Sequence, residues 1–196
     1  GTTWHSAAQV RALRSSRGLT RPAQFAVSLY PALEAETEQA TGWINKGSLS
    51  IATTPDRVIH IRRQEAQAPL FGLRAQSISL GEAKERWPLM NASDVIGAVW
   101  WPDDGRVSPS DLCAALVKGA RKRGARIFED TAVTGVVTKG GRIAGVETAR
   151  GSIRCEAIAV CTGLWSRRVA AIAGTVAPVW PCEHFYLLTK PVPGAE

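Results

Sequence analysis

The stretch that decides the fold is Ala157-Ile158-Ala159-Val160-Cys161-Thr162-Gly163-Leu164-Trp165-Ser166. Ala157 to Cys161 is short, continuous and apolar, which predicts a strand buried on both faces. It runs into Thr162 and Gly163 and then into a predicted helix over 164–173. A strand, a glycine at the turn and a helix start form an arrangement that receives anions. Free backbone N–H groups point outward there, and the helix dipole favours negative charge. Gly163 would let a ligand approach the backbone closely. The same pattern also serves as an ordinary strand-to-helix turn, so alone it does not specify function.

Working outward, the residues just upstream change character. Arg126 to Phe128 and Val133 to Thr138 read as strands. Lys139-Gly140-Gly141-Arg142 reads as a hairpin turn, followed by strands over 143–148 and 153–155 with a second turn at Arg150-Gly151. Downstream, Phe185 to Thr189 reads as a closing strand. Further upstream, Pro22 to Thr41 has a helical apolar face in Ala26, Leu29, Tyr30 and Leu33, with a kink or break expected at Pro31 and a stop at Gly42. Ser48 to Ala52 alternates as a strand, and Thr54-Pro55 caps a helix running toward Gln67. Ser79 to Glu82 and Ser108 to Asp111 both have capping-box spacing. Pro88 stops the first of these helices and Gly124 the second, and Val95 to Trp101 between them is a β-like run. Antiparallel hairpins mixed with a strand–glycine–helix unit indicate a mixed α/β (α+β) fold.

Composition narrows the classes. The 196 residues are 45% hydrophobic and 21% charged, so wholesale disorder is excluded. No run of apolar residues is long enough for a membrane span. The net charge is +7. Its densest basic run, Lys118 to Arg126, closes a predicted helix, where cations suit the dipole. No aromatics are interleaved with that run, which argues against a nucleic-acid partner. Cys113, Cys155, Cys161 and Cys182 show no C-x-x-C spacing, and only His5, His60 and His184 accompany them, so no metal site is expected. Sparse cysteines suggest free thiols in a reducing compartment, cytoplasmic or, in a eukaryote, the mitochondrial matrix. Cys113 and Cys161 lie in apolar runs and are expected in the core, and His60 in solvent. His184 and Tyr186 are two apart and would share a strand face. Seven Trp against two Tyr is an unusual balance, consistent with packing or with ring-lined pockets for a flat cofactor. No G-x-G-x-x-G and no phosphate-binding G-x-x-x-x-G-K-[ST] is present.

Several segments occur together in a recognisable order. They are Gly1-Thr2-Thr3-Trp4-His5 followed by small residues, Glu34-Ala35-Glu36 before Thr41-Gly42, and Gly47-Ser48-Leu49 before Ala52-Thr53-Thr54. Pro88-Leu89-Met90-Asn91, Asp104-Gly105 and Cys161 to Ser166 complete the set. In this order the chain resembles the FAD-dependent dimethylglycine and sarcosine dehydrogenases, within the wider D-amino-acid-oxidase-like group. The resemblance spans essentially the whole chain. It implies part of a two-domain flavoprotein of FAD/NAD(P)-binding type. His5 matches the family's covalent attachment point for the flavin, with Thr2, Thr3, Trp4 and Ser6 around it. Relatives usually continue Ala-Ala-Gly where this chain has Ser6-Ala7-Ala8. Gly163, with Thr162 and Trp165, matches a second flavin contact near the ribityl-diphosphate, and Val133 a backbone contact at the adenine end. His184 and Tyr186 match a His-x-Tyr of the substrate region and are the candidate catalytic residues.

The resemblance implies that residues 1–45 form a flavin-contacting segment and helix, and that 46–105 belong to a substrate-binding domain. It places 106–175 in the FAD-binding domain and 176–196 at the start of a returning substrate-domain strand. The family's glycine-rich unit would lie just before Gly1 and more of the substrate domain just after Glu196, so the chain is expected to be a fragment. The implied activity is oxidation of an N-methylated glycine, with a small N-methyl amine as substrate and an unspecified electron acceptor. Cys182-Glu183-His184-Phe185-Tyr186 equally resembles the related regulatory subunit of pyruvate dehydrogenase phosphatase, which leaves a non-catalytic regulatory role as the alternative.

Overall fold

A computed structural model describes residues 3–185, 187 and 189–194. The chain divides into two compact units, Gly1–Ala125 with Leu188–Glu196, and Arg126–Leu187.

The first unit opens with a 3-10 turn over Thr3–His5 and a short strand, β1 (Gln9–Val10). Helix α1 (Arg17–Thr37) begins five residues before the expected Pro22, because Ser16 caps it by accepting from the Leu19 N–H. Pro22 and Pro31 both lie inside the helix, and neither divides it. Each removes one backbone donor, but Tyr30 and Leu33 pack against Val107, Leu112 and Ala115, and that contact holds the helix across the defect. The helix ends at Thr37 rather than Thr41, with Glu38 in the left-handed region donating to the Glu34 carbonyl.

A three-stranded antiparallel sheet forms the centre of this unit. Strand β4 (Gly97–Trp101) lies between β2 (Ser48–Ala52) and β3 (Gln76–Ile78). Val99 and Trp101 point to one face and join Ile61 of α2 (Pro55–Gln67) in a core with Leu13, Ala52 and Ala68. Ala98 points to the other face and meets Ala83 of α3 (Leu80–Arg86) and Met90. The apolar run of β4 therefore reflects burial on both sides. Glu65 of α2 ties down β3 by accepting from the Ser77 N–H at 2.7 Å and from the Ser77 hydroxyl. Beyond β5 (Gly105–Arg106), which pairs with β1, helix α4 (Pro109–Lys122) packs on α1.

The two expected capping boxes behave differently. At Ser79 the box forms, with Ser79 Oγ accepting from Glu82 N–H and the Glu82 carboxylate accepting from Ser79 N–H at 2.8 Å. Glu82 is held below the usual carboxylate range by these backbone and hydroxyl donors. At Ser108 no side-chain cap is made. The Ser108 N–H donates instead to the Thr41 carbonyl at 3.0 Å, and its Cβ sits against Gly42. The backbone of Ser108 is thus tied to the loop after α1, while its hydroxyl makes no cap. Cys113 on α4 is exposed, contrary to expectation, because Leu112, Ala115 and Gly119 already supply the inward stripe. His60 is exposed, as expected.

The second unit is a meander of β6 (Val133–Lys139), β7 (Arg142–Thr148) and β8 (Gly151–Arg154), all antiparallel, followed by α5 (Ser166–Ile172). Gly140 and Gly141 both have positive φ, which the tight mirror-image hairpin turn requires. Two expected strands are absent. Residues 126–128 are unpaired, with the Arg126 guanidinium over the Phe128 ring at 5.0 Å. Residues 157–161 are also not a strand, and Cys161 is exposed. The last ladder bond runs from Cys155 N–H to the Ala144 carbonyl. A run buried on both faces needs sheet neighbours and covering helices, and no described strand pairs with this one. Of the expected closing strand over 185–189, Phe185, Leu187 and Thr189 show no strand, and Tyr186 and Leu188 lie outside the described residues.

Candidate flavin-contacting site

The Thr3–His5 turn brings Thr3, Trp4 and His5 together, with Ser6 N–H donating back to the Thr3 carbonyl at 3.0 Å. Thr2 lies outside the described residues. The Trp4 and His5 rings stack with centroids 3.6 Å apart, and both side chains are exposed. The His5 imidazole has no hydrogen-bond or ionic partner among the described residues. Ser6, Ala7 and Ala8 present no bulk beside it. Ala8 adopts a φ of +66°, a left-handed conformation that costs a Cβ-bearing residue roughly 1–2 kcal/mol. Position 8 is therefore one where Gly would relieve strain.

What anchors the segment after this turn was not among the expected site residues. Asp104 is 2% exposed and lies between β4 and β5. Its carboxylate accepts from the Ala12 N–H at 2.9 Å, from Arg11 Nε at 3.3 Å and from the Ser48 hydroxyl. Its carbonyl accepts from Gly47 N–H and Asn45 Nδ2. Arg11 also donates to Ser50 Oγ at 3.2 Å and lies over the Trp101 ring, whose Nε1 donates to the same hydroxyl. A Cβ on Gly105 would sit 2.6 Å from the Ile44 carbonyl oxygen, so only Gly fits there. Two residues further, Val107 N–H donates to the Ala8 carbonyl. The sequence motifs Gly47-Ser48 and Asp104-Gly105 thus meet in one knot that anchors the segment after His5. Asp103-Asp104-Gly105 reads from sequence as an ordinary turn, so nothing local marked Asp104 as a buried hub.

In the second unit, Gly163 has a φ of +54°, is exposed, and faces open space where a Cβ would stand. It starts a 3-10 turn over Gly163–Trp165, where Thr162 Oγ1 donates to Ser166 Oγ at 3.2 Å. The turn leads into α5, which packs on β6. Val133 opens β6 opposite Thr148 and is partly exposed, as is Trp165. His184 is exposed and unpaired among the described residues, and Tyr186 lies outside them. In the first unit, small residues flank the exposed His5 ring; in the second, the exposed Gly163 turn leaves room for close approach to its backbone.

A family model, FAD dependent oxidoreductase (DAO), matches residues 1–196. The chain belongs to this family. It is 35% identical to the mitochondrial pyruvate dehydrogenase phosphatase regulatory subunit of Mus musculus, over 97% of this chain and 22% of that protein. It is 34% identical to the mitochondrial sarcosine dehydrogenase of Mus musculus, over 100% of this chain and 22% of that protein. Among solved structures, the L-proline dehydrogenase from P. horikoshii superposes with a TM-score of 0.81 at 28% identity, over 89% of this chain and 46% of that one. The chain therefore spans about a fifth of the length of the curated relatives it matches. Among the described residues, no cluster of three or more His, Cys, Asp or Glu could hold a metal ion. No helix among them is long and apolar enough to cross a membrane.

Proposed function

We propose that this chain contributes the flavin-linking segment of an FAD-dependent amine dehydrogenase or oxidase acting on N-methylated glycine, sarcosine or dimethylglycine. When bound, the flavin supplies the redox chemistry by taking up hydride as the amine's C–N unit is oxidised to an iminium. The observation that carries the reading is the exposed His5 imidazole, without a hydrogen-bond or ionic partner among the described residues, just ahead of a segment that the Asp104 knot anchors. His5 tethers the cofactor, and Thr2, Thr3, Trp4 and Ser6 shape the surface beside it. Thr162, Gly163 and Trp165 receive the ribityl-diphosphate region, and the Val133 backbone the adenine end. His184 and Tyr186 orient the amine or accept its proton. A positioned base of that kind contributes about 100- to 10,000-fold to rate. The compartment is the cytoplasm or, in a eukaryote, the mitochondrial matrix.

The test is to unfold the full-length protein, digest it with trypsin and measure the mass of the peptide containing His5. Flavin retained on that peptide supports the tether, and flavin released entirely removes it. A second reading, a regulatory relative without turnover, is favoured by the 35% identity to the phosphatase regulatory subunit. Full-length protein given sarcosine or dimethylglycine and an artificial electron acceptor separates the two. Flavin reduction by either amine supports the enzyme, and none with any N-methyl amine supports the regulatory reading.

A further inference from the structure

The first turns of α1 carry charges that local physics disfavours. Arg17 and Arg21 stand four residues apart on one face, where like charges repel. They also sit at the positive end of the helix dipole, and no acidic residue lies in the first turn. Arg11, Arg74 and Arg123 of this unit have the carboxylate partners Asp104, Asp103 and Glu36, whereas Arg57 and Arg63 also stand without an ion pair among the described residues. Arg17 and Arg21 have neither an ion pair nor a hydrogen bond among the described residues.

Arg17 and Arg21, both exposed, line an open surface cleft of about 470 Å³ together with Gln24, Leu70 and Phe71, of which Leu70 is 80% exposed. Gln24 Nε2 donates to the Phe71 carbonyl, which fixes the apolar wall against the helix and leaves the Gln24 amide oxygen as an acceptor. No carboxylate lines the cleft, and none of the residues assigned to the flavin does. The volume falls in the range of small-molecule sites, which are about 300–1,000 Å³. An arginine pair kept against its local cost, beside an apolar wall, is a local conflict of the kind found at binding sites.

We propose that this cleft binds a small organic dianion, with its phosphate or paired carboxylates held between Arg17 and Arg21 and its apolar body against Leu70 and Phe71. Guanidinium forks match either oxyanion group. The proposal does not depend on which amine the protein oxidises.

The test is isothermal titration calorimetry of the full-length, flavin-loaded protein with phenyl phosphate, phthalate and, as the neutral control, benzyl alcohol. At least one dianion is expected to bind and benzyl alcohol not to. The tighter of the two dianions identifies the oxyanion group. Arg17→Gln with Arg21→Gln should weaken binding by about tenfold or more, the loss expected when two charge-assisted hydrogen-bonding groups are removed. Without ligand, that double variant should melt no lower than the wild type. Binding by neither dianion, binding unchanged in the double variant, or equal binding of benzyl alcohol would overturn the proposal. A lowered melting temperature would show that the arginines are structural partners of another segment and overturn it too. A raised KM for sarcosine would do the same, by assigning them to the amine site.

Discussion

The sheet β2–β4–β3 and the meander β6–β7–β8 are both three-stranded and antiparallel, yet they are held by different means. The first has a helix on each face, and its central strand buries Ala98, Val99 and Trp101. In the second, every residue of β8 is exposed, and Gly145 is the only buried residue among the described strand positions. The first sheet depends on α2 and α3 and on Asp104, groups brought in from across the chain. The second depends on its own ladder and on the Gly140-Gly141 turn, which sets register locally. The same topology thus draws on side-chain packing in one unit and on backbone pairing in the other.

The largest test of that contrast is Asp104→Ala. It removes the acceptor of a buried knot and leaves Ala12 N–H and Arg11 without their partner. The expected loss is about 3 kcal/mol in denaturant unfolding of the full-length protein, at the low end for a broken buried pair because Arg11 is partly exposed. The same variant should also lower the fraction of flavin recovered on the His5 peptide. A loss well under 1 kcal/mol would mean that the knot does not anchor the segment after the turn.

A paired truncation comes next. Ile61→Ala should cost about 2–4 kcal/mol, since Ile61 is fully buried between α2 and the first sheet. Ile153→Ala, on the exposed β8, should cost less than about 1 kcal/mol. Equal losses would erase the distinction between the sheets.

The smallest effect concerns acid. Burial pushes the Asp103 carboxyl up, but hydrogen bonds from the Arg74 side chain and backbone, with its charge, outweigh this and hold it below the usual range. A depressed carboxyl contributes stability above its unfolded pKa of about 3.9, and that contribution fades as pH falls through the lower folded value. Because the Arg74 side chain is largely exposed, the amount is under about 1 kcal/mol. Asp103→Asn should flatten the acid limb of the stability–pH profile by that amount, and an unchanged limb would remove the pair from the account.

Much of the fold was legible in the sequence. Thr54-Pro55, the Ser79 capping box and the Gly140-Gly141 turn each encode their element within a few residues, and each formed where expected. The misreadings share one cause, which is that the deciding partner lies far away. Ser108 makes a backbone bond to Thr41 and no side-chain cap, and α1 ran through Pro31 because α4 supports it. The run over 157–161 has strand composition but no ladder among the described residues. At the candidate site, His5 and Gly163 were legible as motif residues. The role of Arg11, Ser48, Ser50 and Trp101 was not, since their hydrogen bonds join positions 39 to 93 residues apart.

By itself the sequence determined the capped helices, the glycine turns and the order of motifs that places the chain in its family, because each is fixed by neighbours within a turn or two. Only the tertiary structure decided that Asp104 is a buried hub, that Gly105 has no room for a side chain, and that Arg17 and Arg21 face a cleft without counter-charge. Those outcomes depend on distance and burial between segments far apart in the chain, where a hydrogen bond or a packed face outweighs any local preference.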